Sequence, residues 1–433
     1  MSSTTDLALH IQSTPLIDSH EHLHKEAYYV ENGPDVLADL FGMYIGDELL
    51  IAGASFDSVV QLLDSQNPDI ERRWNGIKDA WALCYHTGYG EAVRRMAKLV
   101  YGMDEITLAT IEAAAKRNQE IRQPGERLHL LRDVANLDHV QVDDFVWACL
   151  PDESGRDFFL YDLSWVDFAN AEFDVAALEE ETGLTIINLT TLKAAMTALF
   201  AQYGPLAIAV KSQHAYTRTL AWEPREDSAV APIFQRYLAK ESLTGAEKLC
   251  LGDWCLARGV ELASEYQLPV KIHTGILAGH GDYFVQPDRV RAAHLAPLIA
   301  QYPQAHFVLM HIAYPYSNEL IALAKHHMNT SLDMCWAWSI NPRHAAEFVR
   351  RTLHALPLNK VFAFGGDCVW PTETVGFAAQ TRDWLTYALQ GEIDEGFITE
   401  AQAIQIATRW MQENQRAVFD LDRIRATIQA WDG

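Results

Sequence analysis

His20 and His22 stand one residue apart, directly after the apolar run Leu16-Ile17-Asp18-Ser19. In an extended strand, residues i and i+2 share a face, so these two imidazoles can bind one metal ion. With 17 histidines in 433 residues, chance alone supplies about 0.7 such triplets, so the pair argues for a site only if further ligands accompany it. They come at the ends of other apolar runs. Val270-Lys271-Ile272 leads into His273, Phe307-Val308-Leu309-Met310 into His311, and Val361-Phe362-Ala363-Phe364-Gly365-Gly366 into Asp367. Leu206-Ala207-Ile208-Ala209-Val210 leads into Lys211. Taken singly, each has an ordinary reading: a strand-end histidine is commonly just hydrogen-bonded, Asp367 behind two glycines can cap a turn, and Lys211 can be a solvated cation. The two imidazoles of one strand, two more strand-end histidines and a carboxylate together point to a metal site. Imidazole mixed with carboxylate suits Zn²⁺, one ion or two, with Mn²⁺ and Fe²⁺ as alternatives.

Eight short apolar segments are expected to be the strands that position these residues: 16–19, 138–142, 157–162, 206–211, 269–273, 306–311, 329–334 and 361–366. Stretches with helical spacing follow several of them, at 178–203, 245–266, 289–302, 318–327, 342–353 and 374–389. Strand alternating with helix predicts parallel βα units and an α/β fold, a (β/α)8 TIM barrel. Residues 25–137 are too many for a simple crossover and must carry structure of their own. Helical spacing at 58–63, 70–85, 90–100 and 108–122 predicts a mostly helical insertion after strand one, serving as a lid or a dimerisation arm. The barrel domain is then 1–24 and 138–433. Such barrels build their active sites at the C-terminal ends of the strands, where the candidate ligands fall.

Composition narrows the class. An apolar fraction of 49% and a charged fraction of 21% fit a globular chain with a sizeable core. A formal net charge of −24 argues against nucleic-acid or anionic-membrane partners and leaves a small-molecule substrate, with a homo-oligomer as a further option. No apolar stretch is long enough for a membrane span, and residues 1–15 lack a signal-peptide core, so a cytoplasmic location is expected. The six cysteines form no CxxC pair and read mostly as reduced thiols, with a zinc or redox role for Cys250 and Cys255 as the lesser alternative.

These residues resemble the pattern of the amidohydrolase superfamily: HxH on strand one, lysine or another ligand on strand four, histidine on strands five and six, aspartate on strand eight. The runs His273-Thr274-Gly275, His311-Ile312-Ala313-Tyr314-Pro315-Tyr316, Ser331-Leu332-Asp333-Met334 and Lys211-Ser212-Gln213-His214-Ala215-Tyr216 are similar to the amidohydrolase-2 branch, which includes nodulin-like domains and domains fused to glutamine synthetase. The insertion is similar to that of uronate isomerases of the same superfamily. The resemblance implies that His20, His22 and Asp367 hold a divalent ion, with His273 completing or flanking the site. His311 would then be a second-metal ligand or a substrate contact. Lys211 could join only if carboxylated, because an ammonium has no lone pair.

The leading expectation is a metal-dependent hydrolase in which activated water attacks an amide, ester or lactone, with Asp367 as general base and acid. Aldose–ketose isomerisation of a sugar acid is the alternative, and a non-catalytic metabolite-binding barrel the third reading. Loop residues after the strands are the substrate candidates: Tyr216 and Arg218, His280 and Tyr283, Tyr314 and Tyr316, Trp336, Trp338 and Arg343, and Trp370. Aromatic walls with an arginine fork suit a small carboxylated substrate.

Overall fold

The computed structural model describes residues 5–281 and 287–431. Its strands are β1 Leu16–Glu21, β2 Leu137–Val142, β3 Phe159–Tyr161, β4 Leu163–Ser164, β5 Val210–Ser212, β6 Val270–Ile272, β7 Phe307–Leu309, β8 Thr330–Asp333 and β9 Val361–Phe362. All neighbours pair in parallel, in the orders β1-β2-β3 and β4-β5-β6-β7-β8-β9. These segments are buried throughout apart from Asp138, as expected of staves covered on both faces.

Two sets of backbone hydrogen bonds turn these runs into a ring. Between β3 and β4, Asp162 N–H donates to Val142 C=O at 2.8 Å and Leu163 N–H to Ala209 C=O at 2.9 Å, so the two segments form one stave. At the other seam, Ser19 N–H donates to Phe364 C=O at 3.1 Å, Asp367 N–H to His20 C=O at 3.0 Å and His22 N–H to Cys368 C=O at 2.9 Å. The fold is an α/β TIM barrel.

The barrel interior below its mouth holds a buried cation, Lys271, whose donors are all paired. Lys271 Nζ lies 2.7 Å from Asp162 Oδ2, 2.9 Å from Gln141 Oε1 and 2.8 Å from the Ser19 carbonyl. A buried ammonium persists because all three of its protons have acceptors.

Residues 26–134 are helical along most of their length and lie on the barrel, sharing one continuous apolar core with it. The helix α1, Gly88–Tyr101, runs against α2, Pro371–Asp394. The approach is so close that a Cβ on Gly376 would stand 2.6 Å from the Ala92 carbonyl, and one on Gly88 2.1 Å from the Ser339 carbonyl. Several expected helices are divided. The 178–203 stretch breaks at Gly183, φ 67°, into Val175–Thr182 and Leu189–Tyr203. The 70–85 stretch breaks near Gly76 into Ile70–Asn75 and Lys78–Cys84. Short helices at Glu26–Asn32, Val36–Phe41 and Ile45–Ile51 escaped the period analysis because two turns are too few to establish a period.

Candidate metal centre

β1 delivers His20 to the barrel mouth and the following residue pair brings His22 beside it, their Nε2 atoms 3.2 Å apart. Asp367 Oδ1 lies 3.3 Å from His20 Nε2 and 3.4 Å from His22 Nε2. All three side chains are buried or nearly so. His22 Nδ1 lies 2.6 Å from the Asp143 carbonyl. A carbonyl only accepts, so Nδ1 carries the proton and Nε2 presents its lone pair to the centre. Two imidazole nitrogens and a carboxylate oxygen converging in this way fit a divalent cation. Burial pushes His20 and His22 below the ordinary histidine range, which keeps them neutral as ligands must be. Burial works against the Asp367 carboxylate, but the His20 hydrogen bond and the imidazoles of His311, His20 and His22 hold it well below its usual range.

Glu21, between the two histidines, points the opposite way, as the strand period requires. It accepts from Thr374 Oγ1 at 2.8 Å and from Cys368 N–H at 2.5 Å, tying β1 to the chain after β9. Burial raises Glu21 and Asp18 together, Asp18 to about 7, and the two carboxyls share a hydrogen bond. Gly366 is needed here, since a Cβ would stand 2.0 Å from Glu21 Oε1.

Lys211 Nζ lies 3.1 Å from His20 Nε2 and 3.0 Å from Gln213 Oε1, so the strand-four lysine reaches the cluster. His311 sits across it, fully buried and pushed down to about 4 by burial. Its Nδ1 lies 3.1 Å from the Cys335 carbonyl, leaving Nε2 as a lone pair without a partner. His311, Cys335 and Asp367 form a second group whose candidate ligand atoms lie within 4.8 Å of one another. His273 packs against His311 with ring centroids 4.3 Å apart, but its Nε2 bonds to the Ile276 carbonyl at 2.9 Å, and it belongs to neither ligand group. His311, Trp336 and Asp367 have φ of 61°, 62° and 60°, a left-handed backbone in residues that rarely adopt it, clustered around the centre.

The loop candidates separate into three sets. Trp336 packs against His311 with centroids 5.6 Å apart, and Tyr216 against His273 at 5.0 Å, both at the mouth. Trp370 joins His24, Tyr28 and Tyr29 in an aromatic cluster beside it. Arg218 is not offered to a ligand. Its Nη2 pairs with buried Asp253 and bonds the Ala221 carbonyl at 2.9 Å, while Nη1 reaches the Ala169 carbonyl at 3.2 Å. Arg343 bonds Tyr387 on the outer surface, Trp338 is buried with its indole N–H on the Ala363 carbonyl at 2.9 Å, and Tyr316 carries the Arg291 guanidinium 5.7 Å from its ring. His280 pairs with Asp47 of the insertion at 2.6 Å, Tyr314 packs on His344, and Tyr283 lies outside the described residues.

Sequence reasoning missed four residues at the centre. Phe145 stacks on His22 with centroids 4.4 Å apart, Asp143 orients that histidine, Cys335 faces His311, and Tyr44 reaches in from the insertion. Tyr44 donates its hydroxyl to the Asp367 carbonyl at 2.5 Å and packs on Trp336 with centroids 4.3 Å apart. No spacing rule marks Tyr44, and Cys335, the second residue beyond the end of β8, is of a type that most often only packs.

Known proteins share part of this sequence and its fold. Residues 229–408 match the amidohydrolase family described as Amidohydrolase. Protein fluG of Emericella nidulans is 28% identical over 230 residues, which cover 50% of this chain and 26% of that protein, so the chain spans about a quarter of that relative's length. Uronate isomerase of Thermotoga maritima has a similar fold, with a TM-score of 0.78 at 15% identity over 95% of this chain and 96% of that one. A structure assigned to a metal-dependent hydrolase of Lactobacillus casei gives 0.66 at 15% identity over 98% and 99%. The chain is thus similar to the amidohydrolase family over residues 229–408, on a TM-barrel fold like that of the uronate isomerases.

Proposed function

We propose that this protein is a metal-dependent hydrolase that opens the acyl bond of a small amide, ester or lactone at the mouth of its barrel. The convergence of His20 Nε2, His22 Nε2 and Asp367 Oδ1 within 3.2 to 3.4 Å carries the reading. A divalent ion, Zn²⁺ by the donor set, would be held by these three residues, where it would acidify water and polarise a carbonyl. Asp367, kept ionised by the imidazoles around it, accepts the proton of the attacking water and returns it to the leaving group. His311 remains neutral and offers its free Nε2 as a hydrogen-bond acceptor beside Asp367. Asp143 holds the His22 ring in its ligating tautomer, and the rings of Phe145, Trp336 and Tyr44 limit access of bulk water. Arg218, committed to Asp253, supplies no carboxylate grip, so the substrate class rests on the acyl group.

A second reading, sugar-acid isomerisation, is favoured by one observation: the likeness to uronate isomerase extends over nearly the whole chain, insertion included. The test is the Zn²⁺- or Mn²⁺-loaded enzyme assayed against carboxylated and neutral esters, lactones and amides, with uronates in parallel. Hydrolysis that Asp367→Asn abolishes is expected. Uronate turnover without hydrolysis would transfer the proposal to the second reading, and an Asp367→Asn variant with full activity would refute the assignment of Asp367.

A further inference from the structure

We propose that Gln213 is a specificity-determining residue of this site, donating its side-chain N–H₂ to a carbonyl or carboxylate oxygen of the substrate. This rests on the reading of the barrel mouth as the place where substrate binds, and it names an oxygen that the substrate must present there. Gln213 is the first residue after β5, at the end of the staves where such barrels build their sites. Lys211 Nζ stands 3.1 Å from His20 Nε2 and 3.0 Å from Gln213 Oε1, which puts the Gln213 amide two hydrogen-bond lengths from a proposed ligand nitrogen. An ammonium only donates, so the oxygen of this amide must face it and the amide cannot be turned over. The N–H₂ is thereby directed away from the lysine. Gln213 is 7% exposed, and its Nε2 is buried without a hydrogen-bond partner. An unpartnered buried donor is costly, and it is accounted for at a site where a ligand supplies the acceptor. Because the amide oxygen is already engaged, the ligand group that Gln213 takes must accept a hydrogen bond.

The ordinary reading is that Gln213 serves only to accept from Lys211. It explains Oε1 and leaves the N–H₂ unexplained, since a glutamate would accept from an ammonium more strongly. Arg218, placed by its loop position to grip a substrate oxygen, is committed to Asp253, whereas the Gln213 N–H₂ is uncommitted. A carboxylated Lys211 would offer the N–H₂ a carbamate oxygen instead, and the experiment separates the two.

Gln213→Glu keeps the shape and the acceptor for Lys211 and exchanges only the donor for an acceptor. In the zinc-loaded enzyme, with whichever substrate is turned over, KM is expected to rise about tenfold at unchanged kcat, while the unfolding midpoint stays at or above that of wild type. An unchanged KM overturns the proposal, because a purely structural glutamine is replaced by glutamate without loss. Calorimetric titration needs no turnover and keeps the outcome independent of hydrolysis. The probes are glutarate and D-glucuronate, set against butyrate and D-glucose, which lack one carboxylate. The advantage of the first pair over the second should fall about tenfold in Gln213→Glu, even if no ester, lactone or amide is opened. An equal advantage in the two proteins, or none in wild type, overturns the role of Gln213. Carbon-13 NMR after loading with labelled bicarbonate addresses the lysine: a carbamate signal that Gln213→Glu abolishes assigns the N–H₂ to Lys211 and overturns the proposal as well. If Gln213→Glu fails to fold, Gln213→Met replaces it in the calorimetric comparison, with the same outcomes.

Discussion

Tyr44 belongs to the insertion, yet its hydroxyl holds the carbonyl of Asp367 at 2.5 Å, at a residue whose φ of 60° is strained. The proposed base is thus set partly from outside the barrel. Tyr44→Phe keeps the ring against Trp336 and removes one buried hydrogen bond, which costs about 1 kcal/mol of stability. With the strain at Asp367 less constrained, kcat/KM is expected to fall about tenfold, roughly 1.4 kcal/mol in the transition state, while metal content stays at the wild-type value. Steady-state kinetics with metal analysis checks this, and an unchanged kcat/KM would confine Tyr44 to packing. The same pair of residues shows what the sequence could reveal. His20 and His22 were legible because a two-residue strand period is a strong constraint on direction, and Asp367 because it follows an apolar run. Tyr44 was not, since its role depends on where a separate helix docks. Cys335 was hidden by its type, because most buried cysteines only pack.

At the scale of elements, the barrel order was readable from apolar runs, but the lengths of the staves were not. β5 begins at Val210 rather than Leu206, since Leu206 and Ala207 still bond back to the Tyr203 carbonyl of the helix end and pairing starts only where Ile208 N–H meets the Tyr161 carbonyl. The insertion's attachment was unreadable as well, because it depends on glycines that matter only once two helices meet. Gly376 on α2 lets α1 approach until the Ala92 carbonyl is 2.6 Å from where a Cβ would be. Gly376→Ala should therefore cost about 1 to 3 kcal/mol in unfolding free energy by overpacking, despite the better helix propensity of alanine. Denaturant titration measures it, and a stabilised variant would mean that α1 yields freely. Arg218 gives a second test at this scale. Its pairing with buried Asp253 joins the loop after β5 to the helix Gly245–Glu265. Arg218→Met leaves Asp253 with Arg225 as its remaining cation and should destabilise by about 3 kcal/mol, with KM unchanged in the folded enzyme. A raised KM at unchanged stability would restore the substrate-gripping role that its loop position suggested.

For the molecule as a whole, the insertion and the barrel share one apolar core, so they are expected to unfold together, and the balance of buried titratable groups sets how that transition moves with pH. His306, just before β7, has its Nε2 2.9 Å from Ser331 Oγ on β8 and lies at the opposite end of that strand from His311. Burial, aided by the nearby Lys360 ammonium, pushes it down to about 4 from an ordinary 6.5. Above pH 6.5 the imidazole is neutral in both states and contributes no pH dependence. As pH falls from 6.5 to 4 the unfolded chain takes up a proton that the folded protein refuses, so stability is lost across that window, by up to about 3 kcal/mol. Asp162 and Asp333 act in the opposite sense. Burial raises both to about 6, so the folded state binds their protons first and gains stability as pH falls from 6 towards the ordinary carboxylate range. The wild-type curve is a sum of opposing terms, and comparison with His306→Gln isolates one of them, because glutamine can keep the bond to Ser331 without titrating. Unfolding free energies measured from pH 7 to pH 4 should show the variant gaining on wild type by up to about 3 kcal/mol, nearly all of it between pH 6.5 and 4. Parallel curves for the two proteins would mean that His306 protonates in the folded barrel as easily as in the unfolded chain, and acid sensitivity would then have to come from elsewhere in the molecule.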